Sequence, residues 1–269
     1  MAGLETHYSA RDIEARILAA IRAAGLNPEQ PLLPEDLAAL DHFHTGGLRA
    51  SRELQELAQI QGEDRVLDIG AGLAGPARLL ASALGCRVDC IELSSDFCAG
   101  AVLLNRLTGL DDRINVHEGS ALDLPFADDL FDVVWMQNVG MNIADKRRLY
   151  GEIHRVVKPG GRYAFQEMVA GTAATSHFPL PWATDPADSF LVSADEMQSV
   201  LAESGFIADL FEDTSDAHLS RTAANATPAA PGQLGLAVFV DDLAQKARNA
   251  RLSLEEGQVR LVRGVFRAQ

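Results

Sequence analysis

Apolar and polar positions along this chain alternate between a helical period and short, fully apolar runs. Ile13, Ile17, Leu18 and Ile21 recur at helical spacing. Ser9 with Asp12 three residues on opens that helix, and Gly25 with Pro28 closes it, which predicts a helix over 9–24. The Pro-, Asp- and His-containing stretch from Pro34 to Gly47 reads as a loop, and a second helix is expected over about 48–60. Short apolar runs then take over, such as Asp132-Val133-Val134-Trp135-Met136. They predict strands at 65–69, 87–92, 113–118, 131–137 and 162–168, with helices at about 75–84, 95–107 and 144–157. Strand–helix alternation of this kind builds a parallel sheet covered on both faces.

After the fifth strand the rhythm breaks. Residues 169–192, with Phe178, Trp182 and Phe190 among prolines and threonines, read as an ordered insertion. Ser193 and Glu196 form a capping-box pattern that opens a helix to Ser204. A strand over 206–212, a mobile Ala/Thr/Pro-rich loop over 213–233, a helix near 241–253 and a final strand near 258–267 complete the expected order. No internal repeat is present.

The loop after the first strand carries the first chemical signal. Gly70-Ala71-Gly72-Leu73-Ala74-Gly75 satisfies G-x-G-x-x-G. Glycine allows a sharp turn after a buried strand and close approach of a ligand to the backbone. Alone, the pattern also describes a dinucleotide loop. Asp68, two residues before the first glycine, separates the readings. A carboxylate there suits a cationic ligand or ordered backbone amides and works against a pyrophosphate. Glu92, at the end of the next strand, suits the hydroxyls of a ribose under either reading.

From Val66 to Gly75 the chain resembles the first motif of the class I S-adenosylmethionine (SAM)-dependent methyltransferases. Four further segments follow in that family's order: Ile91-Glu92-Leu93, Glu118 to Phe126, Phe131 to Gln137, and Arg155 to Arg162. The region from Asp41 to Arg78 is similar to a small-molecule subgroup that includes sarcosine/dimethylglycine and phosphoethanolamine N-methyltransferases and some natural-product O- and C-methyltransferases. The resemblance implies an α/β fold: a Rossmann-like, seven-stranded, mostly parallel sheet with an antiparallel last strand, helices on both faces and an N-terminal helical lid. The expected division is a lid over 1–60, a SAM-binding core over 61–168, a cap over 169–192 and a C-terminal part of the core over 193–269.

The resemblance assigns cofactor contacts to Thr45, Gly46, Gly47, Asp68, Gly70, Gly72, Glu92, Leu93, Ser120, Ala121 and Gln137. Thr45-Gly46-Gly47 would hold the methionine carboxylate at a helix start. Ser120 stands where the family often has aspartate and would accept from the adenine amino group as a neutral acceptor. Ala74 stands where the family often has glycine, which would set the loop slightly further from the ligand. Tyr8 and Asn142 are the candidate catalytic residues. Some relatives have histidine at the positions of Asn138 or Asn142; asparagine orients a nucleophile but is no base near neutral pH. Glu167 and His177 are alternative proton acceptors.

Methyl transfer from a sulfonium is a direct displacement that needs alignment and exclusion of water. With no histidine after the fourth strand, the expected acceptor is an amine, with O- or C-methylation, or SAM binding without transfer, as alternatives. Phe178, Trp182 and Phe190 could hold a methylated ammonium by cation–π contact.

Composition narrows the partners. Of 269 residues, 38 are Asp or Glu and 23 Lys or Arg, a net charge of −15 that disfavours nucleic acid and anionic membranes. No apolar run approaches the length of a membrane span and Met1 to Arg11 has no apolar signal core, so a cytoplasmic protein, monomer or homodimer, is expected. Cys86, Cys90 and Cys98 form no CxxC pair, and His42 with His44 lacks further ligands, so no metal is expected.

Overall fold

The apolar runs of the core form a single twisted sheet, and their alternate residues face opposite helical layers. The computed structural model describes residues 12–173, 176–224, 235, 239 and 241–269. In order, the elements are α1 (Ile13–Ala23), α2 (Pro34–Asp41), α3 (Gly47–Ala58), β1 (Arg65–Ile69), α4 (Gly75–Leu84), β2 (Arg87–Glu92), α5 (Ser95–Leu107), β3 (Ile114–Glu118), β4 (Phe131–Gln137), α6 (Lys146–Val156), β5 (Val157–Ala170), α7 (Ala194–Glu203), β6 (Phe206–Asp213), α8 (Ser215–Ala224), α9 (Leu243–Glu255) and β7 (Val259–Ala268). The strands order as β3-β2-β1-β4-β5-β7-β6. β1 pairs in parallel with β2 and β4, with Val66 opposite Val88 and Val133. β7 alone runs against its neighbours, with Phe266 opposite Tyr163 of β5. The seven-stranded, mostly parallel sheet with an antiparallel last strand therefore stands as expected.

Period-two burial on both faces explains why the strands were continuous apolar runs. Leu67, Ile69, Val134, Met136 and Phe165 pack on one face against Leu149 and Ile153 of α6 and Leu201 of α7. Val66, Val88, Val133, Trp135 and Ala164 pack on the other against Leu54 of α3 and Leu80 of α4. α1 and α2 build a third cluster on Leu73, Phe97 and Leu104.

Two segments differ from the sequence reading. Pro34–Asp41 is a helix where a loop was expected: Pro34 opens it, the Leu33 N–H donates to Asp36, and Leu37 and Leu40 are buried. Two apolar anchors in eight residues are too few to show a period. Ser215–Ala224 is likewise a helix inside the expected mobile loop, packed against α9 and β7; residues 225–233 lie outside the described residues. β5 starts at Val157 rather than 162, because Val157 pairs with Phe131 before the strand makes an irregular excursion through Pro159-Gly160-Gly161. Tyr8 and the Ser9 cap also lie outside the described residues.

Candidate active site

The strand order reverses between β1 and β4, which leaves a crevice at their carboxyl ends. A cavity of about 730 Å³ opens there. The glycine loop forms one wall. Gly70 (φ 66°), Gly72 (φ 54°) and Ala74 (φ 60°) all take the left-handed conformation. The Gly70 and Ala71 amides donate to the Ile91 carbonyl at 2.8 and 3.2 Å. A methyl group on Gly70 would fall 2.4 Å from Val139 Cγ2. Gly70→Ala is therefore expected to cost about 2 kcal/mol through steric overlap and a disfavoured φ, read as a lower urea midpoint at unchanged slope. Ala74 departs from its expected consequence: its methyl is buried in the core beside Ala77 and Leu80 and lines no part of the cavity.

Glu92 folds the loop. Its Oε2 accepts from the Gly72 N–H and its Oε1 from the Ser94 N–H, both at 2.9 Å. Burial raises its pKa and these amides oppose the rise. Asp68 lies beneath the loop, 3% exposed, and lines no cavity wall. Its Oδ2 is buried without a hydrogen-bond partner. Burial first, then the Glu92 charge, push its pKa up to about 8, against the opposing pull of Arg78.

The remaining assigned residues divide into those that line the cavity and those that do not. Thr45, Gly46, Leu93, Ser120, Ala121, Gln137 and Asn142 line it with Gly70, Gly72 and Glu92; Gly47 does not. The amides of Thr45 and Gly47 are already engaged, by Asn138 Oδ1 at 3.2 Å and the His44 carbonyl at 3.2 Å. Ser120 Oγ accepts from the Leu122 N–H at 3.1 Å, which leaves its O–H free to donate.

Gln137 is held in a closed polar ring. Its Oε1 accepts from Ser51 Oγ at 2.9 Å and from Trp135 Nε1 at 3.1 Å. His44 Nε2 lies 2.9 Å from Ser51 Oγ, and Gln137 Nε2 lies 3.4 Å from His44 Nδ1. The ring closes when His44 is neutral with its proton on Nε2, and burial lowers the His44 pKa to about 3. It joins α3 to the end of β4 and leaves Gln137 Oε1 doubly used.

Asn142 sits on the turn after β4, a 3₁₀ segment over Gly140–Asn142, with its Oδ1 buried and unpartnered. Glu167 supports this turn from below. Its carboxylate accepts from the Val139 and Gly140 amides at 3.0 Å. Burial raises its pKa to about 7, and those amides and Lys146 oppose the rise. Lys146 Nζ donates to the Gly140 carbonyl at 2.9 Å, to Ile143 O and to Phe190 O at 2.7 Å, which ties the turn to the insertion. Glu167 does not line the cavity, and His177, 2.9 Å from Glu256 Oε2, does not either.

Beyond Asn142 the cavity continues between the insertion and α8 and α9. Met141, Met168, Trp182, Phe190, Leu219 and Leu254 supply apolar walls, and His218 and Arg251 also line it. Sequence reading names Trp182 and Phe190 but misses Met141, Met168, Leu219, Leu254, His218 and Arg251, because they come from separate elements, one of them the unexpected helix α8. Phe178 packs behind this wall and lines no part of it. No group of three His, Cys, Asp or Glu among the described residues could hold a metal. Burial pushes the Cys86 and Cys98 thiols up to about 11 and 12, away from ligand or nucleophile chemistry. No helix among the described residues is long and apolar enough to cross a membrane.

A methyltransferase domain family matches residues 67–165. The chain is 39% identical over 128 residues to a glycine/sarcosine/dimethylglycine N-methyltransferase of Actinopolyspora halophila, a match covering 46% of this chain and 23% of that protein. The chain spans less than half the length of the curated relatives it matches. A putative sarcosine dimethylglycine methyltransferase from Galdieria sulphuraria shares the fold at a TM-score of 0.64 and 23% identity, over 82% of this chain and 85% of that one. The [4+2]-cyclase SpnF shares it at 0.65 and 21% identity, over 94% of both chains. Residues 67–165 therefore match a methyltransferase domain, carried on a sheet of order β3-β2-β1-β4-β5-β7-β6.

Proposed function

We propose that this chain transfers a methyl group from SAM to a small-molecule acceptor. The carrying observation is one continuous cavity that joins the glycine loop and Glu92 at one end to Asn142 and an apolar chamber at the other. The residues fit SAM. Gly72 leaves room where a side chain would stand, Glu92 keeps lone pairs for ribose hydroxyls, and Ser120 and Ala121 line the same space. The buried, unpartnered Asp68 favours a cation in the adjoining cleft once ionised. The Thr45-Gly46 segment completes the cofactor half. Gln137 acts by positioning, since its carbonyl is taken by Ser51 and Trp135.

SAM supplies an activated sulfonium methyl, so the protein's work is alignment and exclusion of water. Asn142 Oδ1 accepts a proton donor of the acceptor and orients it, while Glu167 and Lys146 fix the turn that carries it. We assign the N-terminal helices and the insertion the roles of lid and cap. The preference for an amine rested on the lack of a histidine after β4. His218 of α8 lines the same cavity, and burial together with Arg221, Arg49 and Arg251 lowers its pKa. A neutral imidazole can take a proton, so a hydroxyl or carbon acceptor fits this site at least as well as an amine.

Calorimetry with S-adenosylhomocysteine tests the cofactor half. Glu92→Ala is expected to weaken binding by about 1–3 kcal/mol, because a charged acceptor is lost and the Gly72 amide loses its partner. No heat with the folded wild-type protein would end this reading. The second reading, SAM binding without transfer, is favoured by the absence of a histidine beside Asn142; methylated product from labelled SAM and a panel of phenols, acids and amines would remove it.

A further inference from the structure

We propose that the acceptor is an apolar molecule bearing an anionic group, with its body against Met141, Met168, Leu219 and Leu254 and its anion at Arg251. This rests on the methyl-transfer reading and specifies the substrate class of that site.

The two ends of the cavity differ in charge. Among the described residues two carboxylates line it, Glu92 and Asp145. Glu92 holds the glycine loop through the Gly72 and Ser94 amides. Asp145 caps α6, its Oδ1 accepting from the Arg148 N–H at 2.9 Å. Neither belongs to α8 or α9. Those helices pack on β7, whereas the glycine loop follows β1. β4 and β5 intervene, which separates the two ends by on the order of 10–15 Å.

The α8–α9 end has an apolar wall with cationic groups at its edge. The Trp182 indole N–H donates to Ser189 Oγ at 3.0 Å, so this side chain offers the cavity no free polar group. The His218 ring makes no hydrogen bond among the described residues and faces the cavity. Arg251 lines it from α9, pairing through Nε with Glu255 one turn along the same helix at 2.7 Å, which leaves the outer guanidinium nitrogens for a ligand. Arg221 stands one turn beyond His218 on α8, and its buried Nε has no partner. Arg49, paired with Glu53 at 3.8 Å, adds a further positive charge near His218. In a chain of net charge −15, this concentration of arginines next to a carboxylate-free apolar wall selects a carboxylate or phosphate head and repels an ammonium.

A matched eight-carbon series tests this on the full chain saturated with S-adenosylhomocysteine: octanoate, octyl phosphate, octanol and octyltrimethylammonium, each titrated by calorimetry. One of the two anions is expected to bind roughly tenfold or more tighter than octanol, and the ammonium weakest of all. Which anion binds tighter separates a carboxylate head from a phosphate head. Arg251→Gln should lose most of the anion preference while octanol binding stays put, and Arg251→Lys should restore part of it. The proposal is overturned if the ammonium binds as tightly as the anions, or if Arg251→Gln leaves the anion preference intact. Absence of S-adenosylhomocysteine binding would defeat the methyl-transfer reading instead, and the same series on the ligand-free chain would still decide the charge preference.

Discussion

Arg78→Ala is expected to destabilise the protein by about 3–5 kcal/mol, the range for breaking a buried ion pair from one side. Arg78 is fully buried in the first turn of α4. Its guanidinium donates to Asp41 Oδ2 and Asn105 Oδ1, each at 2.7 Å, and to the Leu73 carbonyl. Removal leaves the Asp41 carboxylate buried beside His42 Nδ1, 2.6 Å away, without its guanidinium partner. The pair also joins α2 to the glycine helix where their backbones nearly touch: a side chain on Gly75 would fall 2.5 Å from the Asp41 carbonyl. The variant should therefore lose affinity for S-adenosylhomocysteine as well as stability. Urea unfolding followed by circular dichroism checks the first and calorimetry the second. Arg78→Met combined with Asp41→Leu should recover a large part of the stability, since an apolar replacement of both partners removes the stranded charge. A single-variant loss under about 1 kcal/mol would show that the pair holds little.

This arginine marks a limit of what the sequence displayed. The strands were legible because burial on both faces leaves runs such as Val133–Met136 with no polar interruption. The residues proposed for the cofactor half were legible because they are nearly contiguous: a glycine turn, an acid at the next strand end, and a serine turn after the third, all of which line one cavity. Arg78 lies three residues beyond the glycine motif, yet nothing local announces that its partners are Asp41 and Asn105, at separations of 37 and 27 residues. The acceptor half was hidden for the same reason. Met168, Trp182, His218 and Arg251 meet only through tertiary packing, and α8 carries too few apolar residues to declare itself amid Ala and Thr. The missing histidine after β4 is a correct local observation, but it describes one strand end only, and an imidazole, His218, lines the cavity from elsewhere in the fold.

Asp68→Asn is expected to stabilise the ligand-free protein more at pH 9 than at pH 5, by up to about 4 kcal/mol. The unfolded chain ionises this group near 3.8, whereas the folded chain holds its proton to about 8. Between those values the folded state carries a proton that the unfolded state lacks, so stability falls as pH rises, by ~1.4 kcal/mol per unit at most. The contribution is complete below pH 4, lost on passing through 8, and constant above. Asparagine never ionises, so the gap between variant and wild type opens over that window. Glu167, raised to about 7, bends both curves in the same direction and cancels in the difference. Urea midpoints of the two proteins at pH 5 and pH 9 give the comparison, and an equal gap at both would contradict a proton held at Asp68. The variant should bind S-adenosylhomocysteine several-fold more weakly at pH 9, because the negative charge that burial makes costly is the one that attracts the ligand's ammonium. An acid kept without a partner under a glycine loop is then a stability cost retained for binding: the binding effect should vanish below about pH 8, where the folded chain keeps the Asp68 proton, and the stability gap only below about pH 4, where the unfolded chain is protonated too.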